Sequence, residues 1–519
     1  GVTHTKSCRT IITKVMKRGL KLMLSAVILA LTACGGGRVP EHFKALDVPP
    51  MVYPDYAGVT IPVNMAPLTM ELLSKANDAV IRYSAADCEI VCGGLKARPA
   101  VDEWHTLAAK ARGQAISVEV YAENDGQWVR FKPFTIHVSP DSIDAWLSYR
   151  LISPSFVSYE ELTINQRCLE TFDEEVIADN MLCSTETGGQ CINCHSYQQH
   201  NPARMQLHAR QTHGGTIIAY DGGVEKVNLA NSADTTSLPG VYPAWHPWLK
   251  LIAYSTNKTM QSFHTANLNK IEVLDSESDL IAYDVDSHEV MAIESRPDEL
   301  ETFPAWSPDG RWLYYCSAHF VYHDRHADQE EITLRHQEVR YNIYRKAFNP
   351  QTRQFGEREL VVAADTLGMS ATLPRISPDG RWLMFTMGKW GCFHIWHHDA
   401  DLWMLDLSDG EGSPHPLAAA NSDDTESYHA WSSNSRWVVF SSRRYDGVFT
   451  RPFIAHIDAQ GQASKPFELP ARDPDHHRQL LKSYNVPELM RGRVALTPQQ
   501  LAAKLKEDGK PVRYTKSPK

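Results

Sequence analysis

The sequence of 519 residues has no excess of positive charge, no long hydrophobic run and no second C-x-x-C pair. Its net charge of -10 provides no basic surface for phosphates, which argues against a nucleic-acid partner. The hydrophobic content of 43% and charged content of 22% are those of an ordinary globular protein. A chain of this length has room for two or three domains with a sizeable core.

Several catalytic motifs are also missing. The chain contains no G-x-S-x-G nucleophile elbow, no phosphate-binding P-loop and no dinucleotide fingerprint. These absences disfavour a serine peptidase, a nucleotide hydrolase and a dehydrogenase. We therefore favour a role other than catalysis.

The N-terminal region has the layout of an export signal. Arg18 and Lys21 precede the apolar run "LMLSAVILALTAC", which ends at Cys34 and is too short to span a bilayer. Its last four residues resemble a bacterial lipobox, and that resemblance implies that Cys34 becomes the lipidated first residue of the mature chain. A plain signal peptide is the alternative. Met16 is the expected start of translation.

Cleavage within this region would change the charge and set the compartment. Residues 1–33 hold six basic residues and no acid, so their removal from a chain of net charge -10 leaves about -16. We expect a periplasmic lipoprotein anchored to a membrane, with the outer membrane favoured. An oxidising compartment permits disulfides, and the expected sequence-local pairs are Cys88 with Cys92 and Cys168 with Cys183.

The segments after Cys34 differ in their sequence patterns. Residues 34–50 read as a tether. Short runs with alternating apolar residues predict a small β-sandwich of immunoglobulin-like type over 51–140, where "EWHTLAAKAR" reads either as a helix or as part of a strand and loop. Capping residues and apolar spacings of three and four predict helices over 141–215.

A repeat dominates residues 216–475. Four segments align: "YPAWHPWLKLIAYST", "FPAWSPDGRWLYYCS", "LPRISPDGRWLMFTM" and "YHAWSSNSRWVVFSS". Pro-Asp-Gly is strong turn chemistry, and repeated small sheets predict a β-propeller. The "SPDGRW" copies at 307–312 and 377–382 resemble the PD40 or TolB-like propeller family, although "HPWLKL" and "SSNSRW" depart from its pattern. Six blades are favoured over five, followed by a tail over 476–519 with a short helix.

The segment "GQCINCHSY" carries a C-x-x-C-H motif at Cys191, Cys194 and His195. In c-type haem attachment, two thiols bond the haem vinyl groups and the adjacent His ligates the iron. Zinc would need a second ligand pair, and a redox disulfide would need a thioredoxin-like setting. The motif therefore predicts one covalent haem c. A redox or structural disulfide and another metal stay open as alternatives.

A six-coordinate haem iron needs a second axial ligand. Four residues shortly after the motif could supply one, and His208 is the first choice because a short turn leaves room for the chain to fold back. The others are His213, Met205 and His200.

Two polar stretches of the propeller offer weaker candidates. His397, His398, Asp399 and Asp401 could bind a metal, and Asp423, Asp424 and Glu426 could bind calcium. Solvated loops are often acidic without binding a metal, and we favour that simpler interpretation. Asp424, His429 and Arg443 are expected at the mouth of the propeller as a docking surface for a peptide or protein partner.

The combination of lipobox, "CxNCHS" segment and PD40 propeller resembles the TolB-like, cytochrome c-associated propeller proteins of Bacteroidetes over nearly all of the mature chain. The resemblance implies a haem-bearing periplasmic protein. The expected function is electron transfer or redox partnering, with the propeller as a docking platform for envelope partners. The alternatives are a TolB-like interaction scaffold of the cell envelope and a haem enzyme with an open axial position.

Overall fold

The computed structural model describes residues 37–154, 161–184, 190–230, 239–408, 410 and 412–515. The predicted signal peptide over 1–33 and Cys34 lie outside these described residues. The described chain is mainly β and consists of many small sheets. None of its helices combines the length and the apolar character needed to cross a membrane.

The N-terminal part contains ten strands and one helix. In chain order they are β1 (Lys44–Ala45), β2 (Val52–Tyr53), β3 (Thr60–Pro62), β4 (Met70–Leu72), β5 (Asp78–Ala85), β6 (Cys88–Gly93), β7 (Lys96–Ala97), α1 (Val101–Lys110), β8 (Ala115–Asn124), β9 (Gln127–Arg130) and β10 (Phe134–Ser139). Seven strands form one sheet in the order β1-β9-β8-β10-β3, with β5 between β6 and β8, and β2-β4-β7 form a second.

Most of the stretch "EWHTLAAKAR" lies in helix α1, which ends at Lys110 and packs against β5 and β6. Trp104, Leu107 and Ala108 are buried, and their spacing of three and four gives the helix one apolar face. Asp102 and Glu103 occupy the first turn, where negative charge favours a helix. The Trp104 ring meets Tyr83 edge-on at 5.5 Å, which ties the helix to the larger sheet.

The rest of the described chain supplies 26 further strands. They are β11 (Trp146–Ile152), β12 (Thr163–Cys168), β13 (Glu174–Asp179), β14 (Gln190–Tyr197), β15 (Arg204–Gln211), β16 (Gly215–Tyr220), β17 (Gly223–Asn228), β18 (Gly240–Trp245), β19 (Leu251–Phe263), β20 (Ile271–Asp284), β21 (Glu289–Glu294), β22 (Glu299–Trp306), β23 (Trp312–His319), β24 (Tyr341–Asn349), β25 (Gln354–Val362), β26 (Ser370–Ile376), β27 (Trp382–Gly388), β28 (Asp401–Asp406), β29 (His415–Pro416), β30 (Glu426–Trp431), β31 (Trp437–Ser442), β32 (Arg451–His456), β33 (Phe467–Glu468), β34 (Ser483–Met490), β35 (Lys510–Pro511) and β36 (Arg513–Tyr514).

Three short helices lie between or after these strands: α2 (Asp328–Arg335), α3 (His476–Gln479) and α4 (Pro498–Leu505). Single 3-10 turns occur at Asn180–Leu182, Gln198–His200, Arg325–Ala327, His336–Glu338, Asp365–Leu367 and His394–Trp396. Helix α4 confirms the short helix predicted in the tail. Thr497 caps its N-terminus, and the Thr497 side chain accepts a hydrogen bond from Gln500 N in a capping box.

These strands form six antiparallel sheets, numbered here by their order in the chain. Sheet I has the order β34-β11-β12-β13, and sheets II to VI are β14-β15-β16-β17, β18-β19-β20-β21, β22-β23-β24-β25, β26-β27-β28-β29 and β30-β31-β32-β33. The tail adds β35 in parallel to the edge of sheet II and β36 to that of sheet III.

The first strands of neighbouring sheets contact one another in sequence, from β14 through β18, β22, β26 and β30 to β34. Strand β34 also contacts β14, so that the series returns to its beginning. The centre of this arrangement is therefore surrounded by six first strands, and the loops of the sheets lie around its two ends.

Each first strand has a bulge at the same place. The residue at the bulge has a positive φ of 49° to 54° and is followed by Pro or His. These residues are Cys194, Tyr242, Phe303, Leu373, Tyr428 and Val486. A bulge re-aims side chains and breaks the ladder locally, so it turns these positions toward the centre. Four of the six belong to the predicted repeat, and the structure adds those at 194 and 486.

The Pro-Asp-Gly turns close the hairpin between the first two strands of sheets IV and V. In sheet IV, Ser307 Oγ accepts from Trp312 N at 3.0 Å and Gly310 N donates to Ser307 O at 2.9 Å. Sheet V repeats this with Ser377, Gly380 and Trp382. Both glycines have a positive φ, as the turn chemistry requires.

The helices predicted over 141–215 are wrong, because this segment forms strands β11 to β15. Strand β12 is buried between two neighbours although its centre is polar. Gln166 Nε2 donates to Val494 O at 3.0 Å and Asn165 Nδ2 donates to Glu174 Oε1 at 3.0 Å. Because these buried residues of β12 are polar, the strand lacks the alternation of apolar and polar residues by which a strand is recognised in a sequence.

The predicted disulfides are also wrong, since all eight described cysteines are free. Cys88 and Cys92 lie on one strand, four residues apart, which separates their Cα atoms by about 13 Å at the usual rise per residue. Cys168 and Cys183 lie toward opposite ends of the β12–β13 hairpin, because Thr163 pairs with Asp179. A disulfide needs Cα atoms within about 7 Å.

Replacing Gly310 by Ala should destabilise the protein more than the same change at Gly380. Both substitutions put a side chain at positive φ, which costs about 1 kcal/mol. At Gly310 the new Cβ would also lie 2.6 Å from the buried His246 ring, whereas at Gly380 it meets open space. We expect a further loss of about 1–3 kcal/mol for Gly310→Ala from overpacking. Melting temperatures of the two variants test this, and equal losses would contradict it.

Candidate functional site

A cavity of about 510 Å³ lies at the centre of the six sheets. Every first strand contributes to its wall through residues at or beside its bulge. The hairpin of β19 and β20 contributes Met260 and Val273, and the loop after β27 contributes Phe393 and Trp396. This volume is within the 300–1,000 Å³ range of small-molecule and cofactor sites, whose walls are likewise mainly apolar.

All three residues of the C-x-x-C-H motif line this cavity. They lie on β14, which is the first strand of sheet II rather than part of a helix. The bulge falls between Asn193 and Ser196, where the register with β15 shifts. Gln206, which is fully buried on β15, donates from Nε2 to the Cys194 carbonyl that the bulge leaves without a ladder partner. The bulge thus allows Cys191, Cys194 and His195 to face the same space.

His195 is 2% exposed, and neither ring nitrogen has a well-oriented hydrogen-bond partner among the described residues. Burial lowers the pKa of His195 to about 3, and the nearby positive charge of Arg150 contributes to that lowering. The imidazole is therefore neutral at physiological pH. A neutral ring with an unshared lone pair is the form that ligates a metal.

The two motif cysteines are free thiols that are partly buried. Burial raises the pKa of Cys194 above its ordinary value, so that its thiol stays protonated at neutral pH. A catalytic redox cysteine has a lowered pKa instead. The site therefore lacks the electrostatics of a thioredoxin-like centre, although thiols of this kind can still form thioethers.

Among the described residues the polar part of the wall is basic, with Arg150, Arg210 and Arg375 against one carboxylate, Glu488. Arg375 pairs with Glu488 at 3.0 Å, and Arg150 donates to Asn485 Oδ1 at 2.7 Å. The Arg375–Glu488 pair also lines a second, smaller cavity of about 160 Å³. A basic wall at the centre of an acidic chain favours a ligand that carries negative charge.

None of the four predicted second axial ligands lines the cavity beside His195 in the described part of the chain. His208 is buried on β15, where its Nδ1 lies 3.2 Å from Thr216 Oγ1, and Met205 is buried in a neighbouring core. His200 lines the smaller cavity and contacts Leu489 O at 3.0 Å through Nδ1. His213 is half-buried on the turn after β15.

Met260 does line the cavity together with His195. A thioether is the second axial ligand in cytochromes c. Sequence reasoning missed this residue because it lies in the hairpin of another sheet, 65 positions beyond the motif. The only sequence signal for Met260 as a ligand is that it is a methionine near the otherwise polar end of β19.

Three of the weaker metal-binding candidates already have hydrogen-bond partners within the protein. The carboxylate of Glu426 already accepts from Ser422, Ser442 and Arg444, and Asp399 accepts from Lys389 N at 3.0 Å. His397 is buried, and its Nε2 lies 2.8 Å from Glu272 Oε1. Glu272 is 125 positions away along the chain and is not one of the residues predicted to share a metal with His397.

The predicted docking surface is only partly accessible. His429 is 2% exposed, with Nε2 3.2 Å from Met384 O, and it follows the bulge residue of β30 as His195 follows that of β14. Arg443 stacks over the Trp396 ring at 4.1 Å and so supports the cavity wall from behind.

No family model and no curated protein matches the chain. Solved structures with a similar arrangement include prolyl oligopeptidase B from Galerina marginata, at 11% identity and a TM-score of 0.34 over 78% of this chain and 54% of that one. A Synechocystis apocarotenoid oxygenase mutant is similar at 11% identity and 0.33 over 83% and 98%. This chain spans about half the length of the prolyl oligopeptidases. These likenesses concern β-rich, propeller-like folds.

Proposed function

We propose that sheets I to VI are the blades of a six-bladed, TolB-like β-propeller. Two observations support six blades over five. The six first strands contact one another in sequence, and strand β34, which follows sheet VI in the chain, enters sheet I as its first strand. Such an exchange of strands between the chain ends closes a propeller. The predicted repeats at 242, 303, 373 and 428 then belong to blades III to VI.

We propose further that this protein binds one haem c covalently and acts in electron transfer. The observation that carries this is the meeting of Cys191, Cys194 and His195 at one cavity, where neither ring nitrogen of His195 has a well-oriented hydrogen-bond partner among the described residues. The two thiols would form the thioethers and His195 would be the proximal ligand. A haem held there would supply a one-electron redox centre.

The surroundings favour that occupant. A buried imidazole without well-oriented hydrogen bonds costs free energy unless another group uses its lone pair, and a metal ligand bond does so. Arg150, Arg210 and Arg375 provide positive charge suited to carboxylates such as haem propionates. The aromatic wall, with Tyr242, Phe393 and Trp396, excludes water from a flat apolar ring system.

The wider proposal keeps the periplasmic setting. The protein would be anchored through a lipid on Cys34, and the loops around the cavity would dock a redox or envelope partner. No catalytic role is needed, because a haem with two axial ligands transfers electrons without an open position.

The second candidate function is a non-enzymatic interaction scaffold of the cell envelope. One observation favours it: Cys194 and His195 occupy the bulge position that Tyr242–Pro243 and Phe303–Pro304 occupy in neighbouring sheets. Packing in the repeat thus accounts for part of the motif without a cofactor. The two functions differ in whether matured protein carries haem.

The first prediction concerns attachment. Protein produced with the cytochrome c maturation machinery should give a pyridine haemochrome spectrum with about one haem per chain. The double variant Cys191→Ala/Cys194→Ala should lose covalent haem, whereas Cys88→Ala, a partly buried cysteine of the N-terminal sheet, should keep it. Matured wild-type protein without covalent haem would contradict electron transfer and favour the scaffold.

The second prediction separates ligation from packing at the bulge. Proline follows the bulge residue in four of the six first strands, so that His195→Pro and His429→Pro should both fold. With haem bound, His195→Pro should lose the low-spin visible spectrum, while His429→Pro should keep it. If both variants have the wild-type spectrum, His195 is not an axial ligand.

The third prediction identifies the second axial ligand. We expect Met260→Leu, which preserves side-chain volume, to convert a low-spin haem to high spin. His208→Asn should leave the spin state unchanged, because His208 does not line the cavity. The opposite pattern would restore His208 as the ligand predicted from the sequence.

A further inference from the structure

Three residues from two different sheets meet near the outer end of the long hairpin of sheet III. His264 directly follows β19, Glu272 lies at the beginning of β20, and His336 lies in the turn after α2 of sheet IV. One potential ligand atom from each lies within 4.8 Å of the other two. Glu272 is 1% exposed, and the two histidines are half-buried, so the group is open on one side.

Both histidines are held by contacts that do not use all of their ring nitrogens. His336 Nδ1 donates to Thr333 O at 2.8 Å, which leaves Nε2 as the ring nitrogen that could bind an ion. His264 N donates to Lys270 O at 2.9 Å, which closes the end of the hairpin. The two ring centroids are 6.0 Å apart. A carbonyl that orients a histidine through its other nitrogen is typical of metal ligands.

Glu272 is oriented in the same manner. Trp390 Nε1 donates to its Oε2 at 3.2 Å, and His397 Nε2 donates to its Oε1 at 2.8 Å. Each carboxyl oxygen therefore has a lone pair beyond the one that accepts its hydrogen bond.

The basic side chains nearest to Glu272 in the described ranges are histidines. No lysine or arginine in the described ranges forms an ion pair with it. His397 is fully buried, and its Nδ1 has no hydrogen-bond partner in that part of the chain. A buried carboxylate is costly to desolvate, and a bound cation offsets that cost.

We propose that His264, Glu272 and His336 bind a divalent first-row transition-metal ion. Two imidazoles and one carboxylate suit zinc or iron rather than calcium or magnesium, which prefer oxygen ligands alone. Three protein ligands leave at least one position for water or a small ligand. His397 and Trp390 are positioning residues, because they contact Glu272 rather than the ion.

The proposed metal site is distinct from the haem cavity but adjacent to it. Val273 follows Glu272, and Trp396 precedes His397, and both line the central cavity. The ion would join the hairpin of sheet III to the turn of sheet IV, and through His397 it would fix the loop of sheet V. Metal binding should therefore stabilise the cavity wall as well as the site.

Zinc is the probe, because it is distinguishable from haem iron by elemental analysis. Tag-free protein is stripped with a chelator, loaded with Zn²⁺, dialysed and analysed by mass spectrometry of the elements, and Zn²⁺ affinity is measured by calorimetry. We expect about one zinc per chain and a higher melting temperature. Glu272→Gln and His336→Ala should each weaken zinc binding at least tenfold.

His415→Ala is the matched control, since His415 is also half-buried but lies on the edge of sheet V. It should bind zinc as the wild type does. Circular dichroism of each variant confirms folding. If Glu272→Gln does not fold, His264→Ala tests the site instead, because His264 is only half-buried. Wild-type protein without stoichiometric zinc, or ligand variants that bind as tightly as the control, would overturn the proposal. Neither result depends on whether haem is bound.

Discussion

The pairing of β34 with β11 is the contact on which the central cavity depends. Strand β34 comes from the far end of the chain, yet it pairs with β11 from Ser483 opposite Ile152 to Met490 opposite Trp146. It also contacts β14 and β30, and thereby completes the succession of first strands. Without this strand the wall would lack Val486 and Glu488, and the side of the cavity next to His195 would be open. Such long-range pairing forms late and slowly in folding.

The bulge in each first strand makes the structural repeat line the central cavity. A residue with positive φ followed by Pro or His turns one side chain from every sheet toward the centre. In five sheets this residue is aromatic or aliphatic, and in sheet II it is Cys194. The same local geometry supplies an apolar wall from five sheets. In sheet II it presents Cys194 and His195, which are groups of the kind that hold cofactors. The C-x-x-C-H motif and the repeat are not separate segments, because the motif lies at the bulge of the first strand of sheet II.

Part of this arrangement could be predicted from the sequence, for identifiable physical reasons. The repeats at 242, 303, 373 and 428 combine a Pro or His with a nearby Trp and turn residues, which are strong local signals. The copy at 486 lacks the tryptophan, and the copy at 194 has the sequence of a haem motif rather than of the repeat. Strand β12 has the spacing of a helix because its polar centre is buried with partners from distant segments. Met260 and the group around Glu272 depend on contacts between sheets, which spacing along the chain does not reveal.

The central claim is that Cys191 and Cys194 hold a haem at the cavity that His195 lines. Peptide mass spectrometry of protein matured in the periplasm tests it most directly, after digestion and treatment with a thiol-alkylating reagent. The account predicts that the peptide containing both cysteines carries the mass of one haem and takes up no alkylating reagent. Recovery of that peptide with two alkylated cysteines and no haem would contradict it.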